Sequence, residues 1–346
     1  MALKLESRDR EKKTRSREEV EAASILTNLF EHDESRGAQT CLLLGMPGSV
    51  KSGCMLVFAL YATNHFPKDR VYWRSSLNSP LQFFKLPEGK YEIFCEKESG
   101  VHFIDRRTDR DVTDELGVRW FSSFEELYEM SRPGVVSACF FKDRHLRGVD
   151  MDEGTIGWFR WIRFLLSKYH WKFCFCDEYH ELVKSGASGA MWREIMQHAN
   201  DVSNMRKSNL SFFGCAHQVS ELDYRVVDNI MTMAQMYGSK LSRQTPVNKR
   251  ALGNIRRPTL KDGASGWVSC GGSFGRFNIS EVLSMKQSIM AVIRPEDENV
   301  LRCPVCDRVF LLEDVFNEMF CSSACFYAQY ARRKGDVSSP RSLGGI

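Results

Sequence analysis

Apolar residues along this chain fall into two alternating rhythms: short, nearly unbroken runs, and longer stretches repeating at helical spacing. Cys41-Leu42-Leu43-Leu44, Val71-Tyr72-Trp73, Tyr91-Glu92-Ile93-Phe94, Val135 to Phe140, Lys172 to Cys176 and Leu210 to Cys215 are runs of the first kind and predict strands. Helical spacing predicts helices over about Ser52 to Ala62, Phe124 to Met130, Ile156 to Tyr169 and Ala190 to Met205. Strand, helix and strand in turn point to an α/β fold, a mainly parallel central sheet covered by helices on both faces. Upstream, Ser16 and Glu19 form a capping box opening a further helix with Val20, Ile25, Leu26, Leu29 and Phe30 on its apolar side, expected to lie against the main domain. In the stretch from Ile156, the apolar Trp158, Phe159, Trp161, Ile162, Leu165 and Leu166 leave only a strip for Arg160 and Arg163. That pattern favours a buried helix with snorkelling arginines over a nucleic-acid stacking face.

Length and composition divide this pattern. The 346 residues, 43% apolar, suffice for one large domain and an appendage. Residues 1–15 are charge-rich and expected to be disordered, 16–295 form the α/β domain, 296–331 a cysteine module, and 332–346 a disordered basic tail rich in Gly and Ser. Basic residues exceed acidic ones by 48 to 44, a net +4, so any polyanionic partner must be argued from local clusters. The twelve cysteines are spread widely, many inside strand-like runs such as Phe173-Cys174-Phe175-Cys176, which fits a reducing compartment better than a disulfide scaffold. With no signal-peptide core and no apolar run of the ~20 residues a membrane span needs, the chain is expected to be soluble and cytoplasmic.

Candidate chemistry begins where the first strand meets its helix. Gly45-Met46-Pro47-Gly48-Ser49-Val50-Lys51-Ser52 matches the phosphate-loop pattern G-x-x-x-x-G-K-[ST] except that Val50 replaces the last Gly. Such a loop wraps successive backbone N–H groups around phosphates at a helix N-terminus, and Gly45 and Gly48 permit the curl. Residues Gly45 to Gly53 are thus the expected ATP-binding set, with Lys51 on the β- and γ-phosphates and Ser52 on Mg²⁺. The β-branched Val50 restricts the backbone and is tolerable there if its φ stays below zero. A second apolar run ends in Asp177 and Glu178. Asp177 is expected to hold Mg²⁺ through water, and Glu178 to orient and deprotonate the attacking water; the alternative is that Asp177 merely caps the next helix.

These motifs, with Tyr179-His180-Glu181-Leu182 and the run from Met205 to Asp223, resemble the FtsK/HerA superfamily of P-loop motor ATPases, in particular its viral packaging and zonula-occludens-toxin-like branches. The resemblance covers roughly residues 38 to 290. It implies a RecA-like core acting as a ring, usually hexameric, that couples ATP hydrolysis to pulling double-stranded DNA in a viral or mobile-element setting. His217 matches the family's polar sensor and Ser220 to Asp223 its turn, with Val219 where Pro is usual. An arginine acting on the neighbouring subunit is also implied; Arg206 and Arg225 are candidates that the sequence does not separate from surface arginines.

Residues 238–263 carry Lys240, Arg243, Lys249, Arg250, Arg256, Arg257 and Lys261 against the single acid Asp262, either a sequence-tolerant grip on DNA phosphates or a solvated loop. Beyond it, Cys303-Pro304-Val305-Cys306 and Cys321 to Cys325 predict four thiolates (Cys303, Cys306, Cys321, Cys325) around Zn²⁺ in a treble-clef or zinc-ribbon module. This module would bind DNA or a protein partner. Besides a DNA motor, the same residues would serve a slow nucleotide-dependent switch that recruits a partner, or a helicase-type ATPase in replication.

Overall fold

The computed structural model describes residues 17–32, 37–77, 80–141, 153–239, 255, 263–279, 288–293, 300–303, 305–306, 309–311, 320 and 322–327. Strands in chain order are β1 (Thr40–Leu44), β2 (Arg70–Arg74), β3 (Tyr91–Glu96), β4 (Val101–Asp105), β5 (Arg110–Asp111), β6 (Arg119–Phe121), β7 (Val136–Phe140), β8 (Lys172–Cys176), β9 (Leu210–Ala216), β10 (Thr232–Met236), β11 (Ala264–Cys270), β12 (Ser273–Ile279), β13 (Ile289–Ile293), β14 (Val300–Arg302) and β15 (Val309–Leu311). The helices are α1 (Arg17–Asn28), α2 (Lys51–His65), α3 (Phe124–Met130), α4 (Glu153–Leu166), α5 (Gly189–Met205) and the single turn α6 (Tyr224–Val227).

Ten strands form one sheet in the order β12-β11-β10-β1-β9-β8-β2-β7-β3-β6. From β10 to β6 every neighbouring pair is parallel, and only β11 and β12 run antiparallel at the edge. The apolar runs explain this: β1, β7, β8 and β9 are buried along their whole length, as strands covered on both faces must be. One core layer joins α1 and α2 to the sheet through Leu26, Phe30, Met55 and Phe58. The other joins α4 and α5 through Phe159, Trp161, Ile162, Ile195 and Val202. This is the expected α/β class, a mostly parallel sheet between helical layers.

Local departures have local causes. Ile25 and Leu26 on α1 and Leu29 and Phe30 just after it are buried, while Val20, read as part of the same apolar side, is 55% exposed. The strands β4, β5 and β6 and the β11–β12 hairpin were not among the expected elements. They are short, or alternate polar and apolar residues (Ser273 to Ile279 reads exposed, half-buried, buried, exposed, buried, exposed, buried), so they lack an apolar run. The hairpin closes on Gly271 and Gly272, with φ 55° and 92°, the pair of positive φ values a tight two-residue turn requires. Arg160 is exposed on α4 whereas Arg163 pairs with Glu194 at 2.7 Å and Asp201 at 3.0 Å. No helix among the described residues is long and apolar enough to cross a membrane.

Candidate functional site

Strand register gathers the expected chemistry at one edge of the sheet. Leu44 of β1 lies opposite Ala216 of β9, Cys176 of β8 opposite Gly214, and Arg74 of β2 opposite Cys176. The carboxyl ends of β1, β9, β8 and β2 therefore open side by side, where a parallel sheet presents its ligand crevice. β9, followed by His217, sits between the strand that feeds the glycine loop and the strand that Asp177 follows.

The loop is tied to its surroundings by its own backbone. Gly45 N–H donates to the Ala216 carbonyl at 3.2 Å, and Met46 N–H donates to the Tyr237 carbonyl at 3.0 Å. A side chain at Gly45 would meet Ser49 Oγ at 2.5 Å, so that glycine is required by space. Gly48 has φ 83°. Val50 has φ 68° and ψ 24°, so the negative φ that would make a β-branched residue tolerable is not adopted: the position takes the left-handed conformation that the usual Gly takes freely. A β-branched residue there carries strain.

Lys51 is buried and its Nζ donates to the Gly45 carbonyl and, at 3.4 Å, to that of Met46; His217 Nδ1 lies 3.1 Å away. Ser52 Oγ donates to Asp177 Oδ1 at 2.9 Å, joining the two motifs directly. Asp177 also accepts from Glu178 N–H at 3.2 Å, but the residue preceding the 3₁₀ turn Tyr179–Glu181 is Glu178, and no side chain caps that turn. The capping alternative for Asp177 is thereby removed. Burial, then the neighbouring Glu178 charge, pushes the Asp177 carboxyl up to about 6, while Ser52 and Lys51 act the other way. Ser52 and Asp177 supply the oxygen donors a hard dication takes, and such an ion would hold Asp177 ionised. The donor set fits Mg²⁺.

Glu178 stands at φ 50° and ψ 49°, a second non-glycine in the left-handed region. Its Oε2 is 3.4 Å from His180 Nδ1 and 3.7 Å from His217 Nε2. Burial, and next the adjacent His217, hold His180 below its ordinary range. Behind the turn, Arg74 donates to the Asp177 carbonyl at 2.9 Å and to Glu181 Oε2 at 3.0 Å, and Ser76 donates to the same oxygen at 2.6 Å. Lys85 is held below its usual range by burial, with the charge of Asp177 opposing. Sequence reasoning missed Arg74, Ser76 and Lys85. A charged residue ending an apolar strand was the available signal for Arg74, but its partner became visible only when β2 was known to lie beside β8.

The turn after His217 is bonded to the segment after Glu178: Ser185 N–H donates to the Glu221 carbonyl and Asp223 N–H to the Val183 carbonyl, both at 2.9 Å. Of the candidate arginines, Arg225 is committed to Asp223 and lies over the Trp192 and Tyr224 rings. Arg206 lies at the opposite end of the sheet, where its carbonyl accepts from Ala38 N–H ahead of β1, so it is removed from this site. Cys303, Cys306 and Cys325 bring their sulfurs within 4.8 Å of one another beside the β14–β15 hairpin, as a thiolate metal site needs; Cys321 lies outside the described residues. So do Lys240, Arg243, Lys249, Arg250, Arg256, Arg257 and Lys261.

No protein-family model and no curated protein matches the chain. Among solved structures it is similar to the genome packaging NTPase B204 from Sulfolobus turreted icosahedral virus 2 in complex with ATP-gammaS, at 12% identity and TM-score 0.42 over 70% of this chain and 98% of that one. It is similar also to VirB4 of Thermoanaerobacter pseudethanolicus, at 12% identity and TM-score 0.43 over 73% of this chain and 92% of that one. A third is the N-terminal domain of zonular occludens toxin from Neisseria meningitidis, at 14% identity and TM-score 0.27 over 76% and 96%.

Proposed function

We propose that this chain is an ATP hydrolase whose turnover drives movement or packaging of double-stranded DNA, acting as a ring of subunits. The observation that carries the hydrolase reading is the convergence of Lys51, Ser52, Asp177, Glu178 and His217 at adjoining strand ends, joined by the Ser52–Asp177 hydrogen bond. In this reading the amides from Gly45 to Gly53 cradle the phosphates, and Lys51 exchanges the loop carbonyls for phosphate oxygens. Ser52 and Asp177 hold Mg²⁺, which supplies charge neutralisation on the phosphates when bound. Glu178 accepts the proton of the attacking water. His217, 3.7 Å from Glu178 Oε2, is the residue that senses this change, and the turn to Asp223 carries it on through its bonds to Val183 and Ser185.

DNA as the partner rests on the family resemblance and on the basic residues from Lys240 to Lys261, and Zn²⁺ on the three gathered cysteines together with Cys321. The test is ATP hydrolysis with and without double-stranded DNA across a range of salt, beside Lys51→Ala and Glu178→Gln. Stimulation by DNA that fades as salt rises and vanishes in both variants is expected, since phosphate contacts release counterions. Tight nucleotide binding with no DNA-dependent turnover would overturn the motor. One observation favours a second reading, a slow nucleotide switch that recruits a partner through the cysteine module: Val50 at φ 68° strains the loop at the residue before Lys51.

A further inference from the structure

To Glu178 and His217 the fold adds His180, a third side chain that the hydrolase reading does not use. Glu178 Oε2 stands 3.4 Å from His180 Nδ1 and 3.7 Å from His217 Nε2, and one ligand atom from each of the three residues falls within 4.8 Å of the others. The two imidazoles are 4.9 Å apart at 41°, so they converge on the carboxylate without stacking. Glu178 Oε2 and His180 Nδ1 are buried atoms without a hydrogen bond among the described residues. Tetrahedral bonds of about 2.0–2.1 Å to nitrogen or oxygen imply ligand-to-ligand edges of roughly 3.3–3.4 Å, against 3.4 Å and 3.7 Å for the two edges at Glu178.

We propose that Glu178, His180 and His217 bind a transition-metal dication of the Zn²⁺ class, at a site separate from the Ser52–Asp177 pair. Two imidazoles and one carboxylate suit a borderline-soft ion, whereas Mg²⁺ takes oxygen donors and would be held by Ser52 and Asp177. The ammonium of Lys51, 3.1 Å from His217 Nδ1, opposes the ion. Binding therefore requires Lys51 to release His217 and keep to the Gly45 and Met46 carbonyls. One consequence rests on the hydrolase reading above: a metal on Glu178 removes the carboxylate that accepts the water's proton, so Zn²⁺ would be an inhibitor bound beside the nucleotide.

Co²⁺ titrated into the full chain as purified tests the site, read by d–d absorption, with thiolate charge transfer marking any ion bound at cysteines. An equivalent of Co²⁺ without thiolate charge transfer is expected, lost in His180→Ala and tightened in Lys51→Met. It should return in His180→Cys with a new thiolate band, because the longer metal–sulfur bond offsets the shorter side chain. Identical titrations of wild type and His180→Ala, or thiolate character in all of the wild-type absorption, would overturn the site. For inhibition, Zn²⁺ is expected to slow wild-type hydrolysis severalfold and His180→Ala less, and equal inhibition of both would refute that consequence. A chain that hydrolyses no ATP would defeat the hydrolase reading and leave the Co²⁺ titration to decide the site.

Discussion

The glycine loop after β1 and the turn after β8 meet the same backbone problem with different residues. Each must reverse the chain at the carboxyl end of a buried parallel strand, and each places a non-glycine in the left-handed region: Val50 at φ 68° and Glu178 at φ 50°. A left-handed L-residue costs about 1–2 kcal/mol, which the surrounding fold must hold in place. At Glu178 that conformation sets a carboxylate beside His180 and His217, so the strained residue is itself the one proposed as the base. At Val50 the side chain offers no chemistry, and the strain falls on the residue preceding Lys51. Strain that positions a functional group and strain that merely accompanies one are distinguishable, because relieving them has opposite consequences.

The largest expected effect breaks the comparison on the Glu178 side. Glu178→Gln keeps the side-chain shape and removes the proposed base, so single-turnover hydrolysis should fall by about 10²–10⁴-fold while nucleotide affinity is retained. Lys51→Ala should lose affinity as well. A Glu178→Gln enzyme with unchanged turnover would exclude this carboxylate as the base.

Next in size is the buried carboxylate between the two turns. The Asp177 carboxyl, pushed up to about 6 from an ordinary 3.8, binds its proton more tightly in the folded state. That contribution is fully present below pH 3.8 and is lost as pH rises through about 6. Asp177→Asn, which keeps an acceptor for Ser52, should therefore be the more stable protein at pH 8 by about 3 kcal/mol without nucleotide or Mg²⁺, and should match wild type near pH 4. Denaturant melts at the two pH values check this; a gap that does not change with pH would contradict it.

Smallest and most direct is relief of the strain itself. Val50→Gly should stabilise the fold by about 1 kcal/mol, the left-handed penalty less the entropy a glycine adds to the unfolded chain, and should retain or raise turnover. Glu178→Gly should stabilise by a similar amount and abolish turnover. Thermal melts paired with hydrolysis rates separate these outcomes, and a Val50→Gly protein less stable than wild type would show that no strain is stored in the loop.

Much of this site was legible because the chemistry is local: a strand, a glycine-bearing turn and a lysine–serine pair are neighbours in sequence, as are Asp177 and Glu178. Apolar runs likewise announced β1, β7, β8 and β9, since a strand buried on both faces has no polar alternation to conceal it. The edge hairpin of β11 and β12 escaped notice because one face of β12 is open and its run is broken by Gly275, Arg276 and Asn278. His180 stood in plain view within the motif but acquired its relation to Glu178 and His217 only through the fold.

By itself, then, the sequence determined the alternation of strands and helices and the identity of the phosphate-loop and carboxylate motifs, because periodicity and short-range spacing are properties of neighbouring residues. Tertiary structure alone decided that β9 lies between β1 and β8, that Arg74 reaches under the Asp177 turn, and that Val50 sits at a positive φ. Strand order and backbone sign are set by packing between segments far apart in the chain, where no local pattern carries the information.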